Sequence, residues 1–131
     1  CEYLNDRYHG AFFPQEHDKK WASLRWHALG DGLLDALILW RNEREREVSL
    51  PSLLAAFELK TLKTLAVLES EVNALNASTF NIGIVAVVCA LGYLDYRFQA
   101  LNWRSKAPQL AKWFEVMAQK PSVQKTVAVE G

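Results

Sequence analysis

Apolar residues recur every three or four positions along most of the chain, and no stretch alternates convincingly between apolar and polar residues. This spacing predicts α-helices and argues against strands. The clearest case is the segment 18–46, which we predict to be one long helix with Asp18 as its N-cap. A stripe at helical spacing lies on one side of a helix, so this one should face the core. Its members are Trp26, Leu29, Leu33, Leu37 and Trp40.

The other helices are marked by prolines and short polar stretches. Residues 1 to about 8 are predicted to be the end of a helix, and residues 11–17 a linker. The apolar contacts of that first helix should come from Tyr3, Leu4 and Tyr8. Pro51 and Pro108 suit the first turn of a helix. We predict a helix from Pro108 to about Ala118, and a connector over residues 73–77 after the helix that starts at Pro51.

The stretch SerThrPheAsn, residues 78–81, predicts the start of a further helix. Ser78 is the predicted N-cap, and Asn81 takes the third helical position, from which a side chain reaches back to the cap. The helix that follows, to about Phe98, is apolar nearly all round, which indicates a central helix surrounded by others. Gly83 and Gly92 are expected to let neighbours approach closely. The predicted fold class is all-α, a helical bundle with a buried central helix.

Composition narrows the class of protein. With 131 residues the chain is long enough for one domain with a sizeable core. It carries 15 basic and 15 acidic residues, and this balance argues against a nucleic-acid-binding surface. No stretch reads as a signal peptide, and the longest apolar run is too short to span a bilayer. We expect a cytoplasmic protein with no nucleic-acid partner and no membrane association.

The two cysteines form neither a disulfide pattern nor a metal motif. Cys89 lies in a very apolar run and is expected to be a buried, inert filler. Cys1 is expected at a frayed end. A mature bacterial lipoprotein also begins with cysteine, but a flexible polar tether usually follows that residue, and Glu2-Tyr3-Leu4 is not one. The lipoprotein alternative is therefore disfavoured.

The strongest candidates for chemistry lie on the long helix. His27, Asp31 and Asp35 are spaced by four residues, which puts them on one face. A metal would need further ligands from elsewhere, so a polar face at a cleft or interface is favoured over a metal site. The carboxylates are expected to accept hydrogen bonds or to pair with cations such as Arg25, with acid–base work as the open alternative. The charge run 41–47 alternates in sign and predicts a solvated helix surface.

Arginine also occurs between aromatic residues, in the segment DYRF at 95–98 and at Trp103-Arg104. Such an arginine stacks on rings or binds anions. A structural tie between the end of the central helix and the following loop is favoured over an anion site. The chain contains no GxSxG, P-loop or HExxH motif.

Together these parts resemble the helical C-terminal domain of bacterial cytosolic glutathione transferases. The stretches that carry the resemblance are HALGDGLLDALILWRNE, STFNI, ALGYLDYRF and NWRSKAPQLAKWFEVMAQKPSVQKT. They cover nearly the whole chain, from Trp21 to Thr126. In this family the central helix typically opens with Ser/Thr-x-x-Asp. Asn81 departs from that pattern, and it lacks the charge that suits a helix N-terminus.

The resemblance implies a domain organisation. Residues 1–10 would be the remnant of the last helix of a thioredoxin-like domain, residues 11–17 the interdomain linker, and residues 18–131 the helical domain. The family's catalytic residues and most of its glutathione-binding residues lie in the thioredoxin-like half. No catalytic residue is therefore expected in this chain, which should be inactive alone.

The resemblance also implies a role for the intact protein, in which glutathione thiolate attacks an electrophile during detoxification. This chain would contribute to the electrophile pocket and to a homodimer interface, with glutathione as co-substrate and no metal. Asp31 is the candidate for contact with the glutathione of the partner subunit. Trp26, His27 and Asp35 are candidates for the wall of the pocket, which would take a small electrophilic substrate.

A second function class stays open. Helical domains of this type also serve as non-catalytic protein-interaction modules, as in some translation factors and synthetase complexes. Because fold does not decide function, the resemblance alone does not separate the two. The bacterial-style stretch HALGDGLLDA favours the enzyme.

Overall fold

A computed structural model of the protein describes residues 1–129, and every regular element in that range is helical. The predicted all-α class is therefore confirmed. In chain order the elements are α1 (Glu2–Arg7), α2 (His17–Arg44), α3 (Pro51–Ser70), α4 (Val72–Ala77), α5 (Ile82–Arg97), a 3₁₀ turn (Gln99–Leu101), α6 (Trp103–Lys106), α7 (Pro108–Ala118) and α8 (Pro121–Gln124). The bounds predicted for α7 are confirmed, whereas the predicted connector 73–77 is wrong because it forms α4.

The long helix α2 and the central helix α5 form the centre of the bundle. They pack on each other more extensively than any other pair, while α3 lies against α2 and α7 lies against α3, α4 and α5. The predicted stripe of α2 faces this core, with Leu29 half-buried and its other four members buried. On α5 the buried residues include Ile84, Val87, Leu91 and Leu94.

Two glycines allow α2 and α5 to approach closely. A Cβ atom at Gly30 would lie 2.5 Å from the carbonyl carbon of Ala86, and one at Gly83 would collide with the Ser23 carbonyl. The expectation for Gly83 is therefore confirmed. The one for Gly92 is wrong, because a Cβ there would meet no atom within 4 Å.

The start of α2 differs from the prediction. Glu16 is the N-cap and makes no side-chain capping bond, so Asp18 is not the cap. Asp18 lies in the first turn instead, with its carboxylate 3.1 Å from Nδ1 of His17. Acidic residues in a first turn interact favourably with the positive end of the helix dipole, so Asp18 suits this position without forming a cap bond.

The cap of α5 also differs from the prediction. Asn81 itself is the N-cap, and its Oδ1 accepts the N–H groups of Gly83 and Ile84 at 3.0 and 3.2 Å. The predicted capping box of Ser78 and Asn81 is therefore wrong. The helix begins three residues later because residues 78–81 are non-helical, with extended backbone at Ser78 and Asn81.

The segment before α2 is attached to this same helix start. The carbonyl of Phe12 accepts the N–H of Ile82 at 3.0 Å, and the ring of Phe12 packs edge-on against Phe80. Asn5 accepts the N–H of Phe12 at 2.9 Å and so joins α1 to the linker. The residues predicted as the apolar contacts of α1 are exposed within the described chain: Tyr3, Leu4 and Tyr8.

Candidate functional site

The polar residues predicted on α2 share its outward face. His27 is half-buried, and Asp31 and Asp35 are exposed. Among residues 1–129, none of the three forms a hydrogen bond or an ion pair. The pairing expected with Arg25 is wrong, because the Arg25 guanidinium binds Glu71 of the neighbouring segment. The face therefore presents two carboxylates and an imidazole that no other described group engages.

Trp26 does not belong to this face. It is 3% exposed and packs in the core, and its indole N–H donates to Oε2 of Glu71 at 2.8 Å. Consecutive residues of an α-helix point about 100° apart, so Trp26 and His27 face different surroundings. Trp26 therefore lies in the core of the bundle, and its assignment to the wall of a substrate pocket stays a prediction.

Glu71 connects α2 to the end of α3. Its Oε2 accepts a hydrogen bond from Arg25 at 2.5 Å and another from Trp26. The Arg25 bond, together with the Trp26 bond and the Arg25 charge, lowers the pKa of the Glu71 carboxyl despite partial burial. The same pairing raises the pKa of the Arg25 guanidinium. This contact keeps the N-terminal half of α2 fixed against the bundle.

Two other glutamates complete helix ends, and one of them, Glu43, lies in the charge run that the sequence predicts to be a solvated surface. Glu43 is 5% exposed, and its Oε1 accepts the N–H of Leu50 at 2.8 Å, a bond that lowers the pKa of this carboxyl. Glu69 accepts the N–H groups of Gln109 and Leu110, at 3.0 and 2.7 Å, in the first turn of α7. Glu69 and Leu110 are far apart in sequence, so no local pattern indicates this contact. The alternating charges around Glu43 are typical of a solvated surface, so they do not indicate that its carboxylate binds the N–H of Leu50.

The aromatic–arginine segment forms the structural tie predicted for it. Asp95 accepts the indole N–H of Trp103 at 2.8 Å and pairs with Arg104. The Arg104 guanidinium lies 4.9 Å from the ring centre of Trp103 and 5.5 Å from that of Phe114. These contacts hold the end of α5 to α6 and α7.

Cys89 is exposed, so the expectation of a buried filler is wrong. It lies on the outward side of α5. Because α5 is apolar nearly all round, its sequence has no polar face that would indicate which side is exposed. Partial desolvation by the surrounding protein raises the pKa of its thiol. A raised pKa keeps the thiol protonated at neutral pH and therefore poorly nucleophilic.

The described surface includes two open grooves. One of about 500 Å³ lies between α3, α4 and α7, and one of about 370 Å³ lies between α1, the linker and the start of α2. His27, Asp31 and Asp35 line neither groove. Within residues 1–129 there is also no group of three or more His, Cys, Asp or Glu side chains arranged to hold a metal ion.

No helix taken singly in the described part of the chain has the length and apolarity to cross a membrane. Two consecutive helical segments, Ile82–Arg97 and Gln99–Lys106, are together long and apolar enough, but the chain bends by 97° between them.

No family model matches the chain. A curated protein of Escherichia coli K12, the uncharacterized GST-like protein YibF, is 31% identical over 121 residues. The match covers 88% of this chain and 59% of YibF, so the chain spans less than two thirds of that relative.

Solved structures match the chain more fully. A glutathione transferase family member from Pseudomonas fluorescens Pf-5, with bound S-(propanoic acid)-glutathione, is 37% identical with a TM-score of 0.91. The match covers 98% of this chain and 68% of that one. A glutathione S-transferase from Methylobacillus flagellatus KT with glutathione bound is 31% identical with a TM-score of 0.88, over 98% of this chain and 66% of its own. Likeness of this extent in both sequence and fold shows that the chain belongs to the glutathione transferase family, with the all-α fold of the family's C-terminal domain.

Proposed function

We propose that this chain is the helical part of a cytoplasmic glutathione transferase that conjugates glutathione with small electrophiles and so detoxifies them. The observation that carries the proposal is the outward face of α2, where Asp31 and Asp35 are exposed without partners among the described residues. Relatives of 31–37% identity hold glutathione or a glutathione conjugate. A free carboxylate is suited to the ammonium group of that peptide.

In this proposal Asp31 contacts the γ-glutamyl amine of glutathione bound to the partner subunit of a homodimer, and His27 and Asp35 lie beside the electrophile. Attraction between a carboxylate and an ammonium group at a solvated surface contributes up to about 1 kcal/mol. Loss of that contact should therefore raise KM for glutathione about fivefold, since about 1.4 kcal/mol corresponds to tenfold.

The chain spans 59–68% of three of these relatives, so we assign the complete reaction to a longer protein. We propose that residues 1–10 belong to the last helix of a thioredoxin-like domain and that residues 11–17 link it to the helical domain. Activation of the glutathione thiol would take place in that other domain. Residues 1–131 alone should then give no conjugation.

Conjugation of glutathione to chlorodinitrobenzene by the full gene product tests the proposal. Asp31→Asn should raise KM for glutathione about fivefold with little change in kcat, if the contact forms equally in the ground and transition states. Glu115→Gln is the matched control, because Glu115 is an exposed carboxylate on α7 without a described partner. Equal KM values for the two variants would refute the role of Asp31. Turnover by residues 1–131 alone would refute the assignment of thiol activation to another domain.

A protein-interaction module is the second candidate, and the exposed ring of Trp21 on α2 is the observation that supports it. Trp21 is 58% exposed, which suits a surface covered by another protein. Tyr3 and Tyr8 are also exposed, but they lie in the segment that we assign to the thioredoxin-like domain, so they do not separate the two functions. Conjugation by the full gene product supports the enzyme. Absence of turnover with several electrophiles, together with stable binding of another protein through Trp21, supports the module.

A further inference from the structure

Two aromatic side chains in the first turns of α2 bond to each other, and this bond requires one protonation state of a histidine. The indole N–H of Trp21 donates to Nε2 of His17 at 3.1 Å, and the two rings meet edge-on with their centroids 6.2 Å apart. Residues four positions apart lie on the same face of a helix, which brings these rings together. The bond fixes the orientation of an indole that is 58% exposed.

The bond also determines which nitrogen of the His17 ring carries a proton. An indole N–H only donates, so Nε2 of His17 must be the nitrogen without a proton. In a neutral imidazole the proton is then on Nδ1, which lies 3.1 Å from Oδ1 of Asp18 and donates to it. The described geometry therefore belongs to neutral His17, which accepts from Trp21 and donates to Asp18.

A second proton on His17 would break one of these bonds and keep the other. Both nitrogens of an imidazolium donate, so Nε2 no longer accepts the indole N–H of Trp21. The bond from Nδ1 to the Asp18 carboxylate becomes charge-assisted and therefore stronger. Protonated His17 stays with Asp18, while Trp21 loses its acceptor.

The other charged groups around this end of α2 have different surroundings. Glu16 pairs with Lys19 at 2.6 Å. The groove between α1, the linker and α2 holds three more charged residues, and His17 does not line it: Glu2, Asp6 and Lys20. Asp18 is thus the charged residue that bonds to His17, and the imidazole, with its side chain 83% exposed, takes up protons directly from solvent.

We infer that His17 and Trp21 form a pH-dependent switch at the start of α2. Neutral His17 holds Trp21 in one orientation, and protonated His17 releases it to turn in solvent. Histidine changes its charge between about pH 5 and pH 8, so the bond is present at the upper end of this range and is lost as the pH falls. The surface that α2 presents beside the linker then differs between the two conditions. The switch requires no turnover, so it is independent of the proposed transferase reaction.

NMR relaxation of the ¹⁵N-labelled full chain at pH 8 and at pH 5 tests the inference. The order parameter of the Trp21 indole N–H should fall from about 0.85, typical of a rigid group, to below about 0.6, typical of a flexible one. The indole of Trp103, whose N–H is bonded to Asp95, should keep its order parameter at both pH values. Trp21→Phe assigns the Trp21 resonance.

His17→Asn removes the titrating ring and should abolish the pH dependence of the Trp21 order parameter. His9→Asn is the matched control and should show the same fall as the unchanged chain. His9 is an exposed histidine outside α2, and asparagine tolerates its φ of 53°.

Three results would overturn the inference. They are an equal Trp21 order parameter at both pH values in the unchanged chain, a fall that persists in His17→Asn, and a fall that disappears in His9→Asn. Each of them leaves the proposed transferase reaction untouched, since conjugation is measured separately.

Discussion

Asn81 should contribute more to stability than any other polar side chain at the start of α5. It is 2% exposed, and its Oδ1 accepts three bonds, from the N–H groups of Gly83 and Ile84 and from the hydroxyl of Ser23 at 2.9 Å. Its Nδ2 donates to the carbonyl of Thr79 at 2.9 Å. Asn81→Ala removes all four bonds at once.

The expected loss of stability follows from the backbone N–H groups that Asn81→Ala leaves without their acceptor. Gly83 keeps a long bond to Ser23 Oγ at 3.4 Å, but the Ile84 N–H loses its acceptor. Loss of a cap costs about 0.5–2 kcal/mol, and each buried group left unpaired costs about 1–3 kcal/mol. We expect a total of about 3 kcal/mol, which lowers Tm by about 10 °C in a domain of this size.

Thermal unfolding followed by far-UV circular dichroism provides the measurement, with Ser78→Ala as the control. Ser78 makes no side-chain bond among the described residues, so its loss should lower Tm by less than about 2 °C. A fall in Ser78→Ala as large as that in Asn81→Ala would show that Ser78 is the cap and would refute the reasoning.

Asn81→Asp separates charge from hydrogen bonding at the same position. A carboxylate gains about 0.3–1 kcal/mol from the helix dipole, but it loses the Nδ2 bond to Thr79, worth about 1 kcal/mol. The two effects nearly cancel, so Tm should stay within about 4 °C of the unchanged chain. A fall as deep as that of the alanine variant would contradict this balance between the helix dipole and the Thr79 bond.

Two further predictions concern α2. Gly30→Ala should destabilise the fold by about 3 kcal/mol in chemical denaturation, because the added Cβ would lie 2.5 Å from the carbonyl carbon of Ala86. Gly32→Ala is the control, and it should stabilise the fold by up to about 1 kcal/mol because a Cβ there would meet no atom within 4 Å. Equal effects would contradict the close α2–α5 contact. Glu71 has a pKa below its usual 4.5, so its stabilisation is present above about pH 4.5 and is lost as the pH falls through the lowered value. Chemical denaturation near pH 7 and near pH 3 should therefore show that the free energy of unfolding falls less on acidification in Glu71→Gln than in the unchanged chain. An equal fall in both proteins would exclude the contribution of the Glu71 carboxylate.

The apolar pattern predicts the helices well because burial imposes their spacing. Leu33 and Leu37 of α2 and Leu110 of α7 are completely or almost completely buried, as their spacing predicts. The helix starts are predicted less well, since a cap depends on the local backbone conformation. Asn81 stands directly before the apolar run of α5, and asparagine is among the best N-caps, so this signal was available in the sequence.

The candidate site is predicted only in part. Spacing alone places His27, Asp31 and Asp35 on one face of α2, and the structure agrees. The apolar spacing predicts that Trp26 belongs to the core stripe, whereas the family resemblance implies the wall of a pocket. Its burial and its bond to Glu71 agree with the core stripe. The contacts of Glu71 and Glu69 join helices far apart in the chain, so helical periodicity carries no information about them.

The bond between the Phe12 carbonyl and the Ile82 amide makes one proton a reporter of attachment. Ile82 is the first residue of α5, and its amide proton has no acceptor within its own helix. Hydrogen–deuterium exchange at that position therefore measures how often the segment before α2 detaches, while the amides deeper in α5 measure opening of the bundle. A partner that binds near Phe12 and holds this segment in place would slow exchange of the Ile82 amide proton, even without contacting α5 itself.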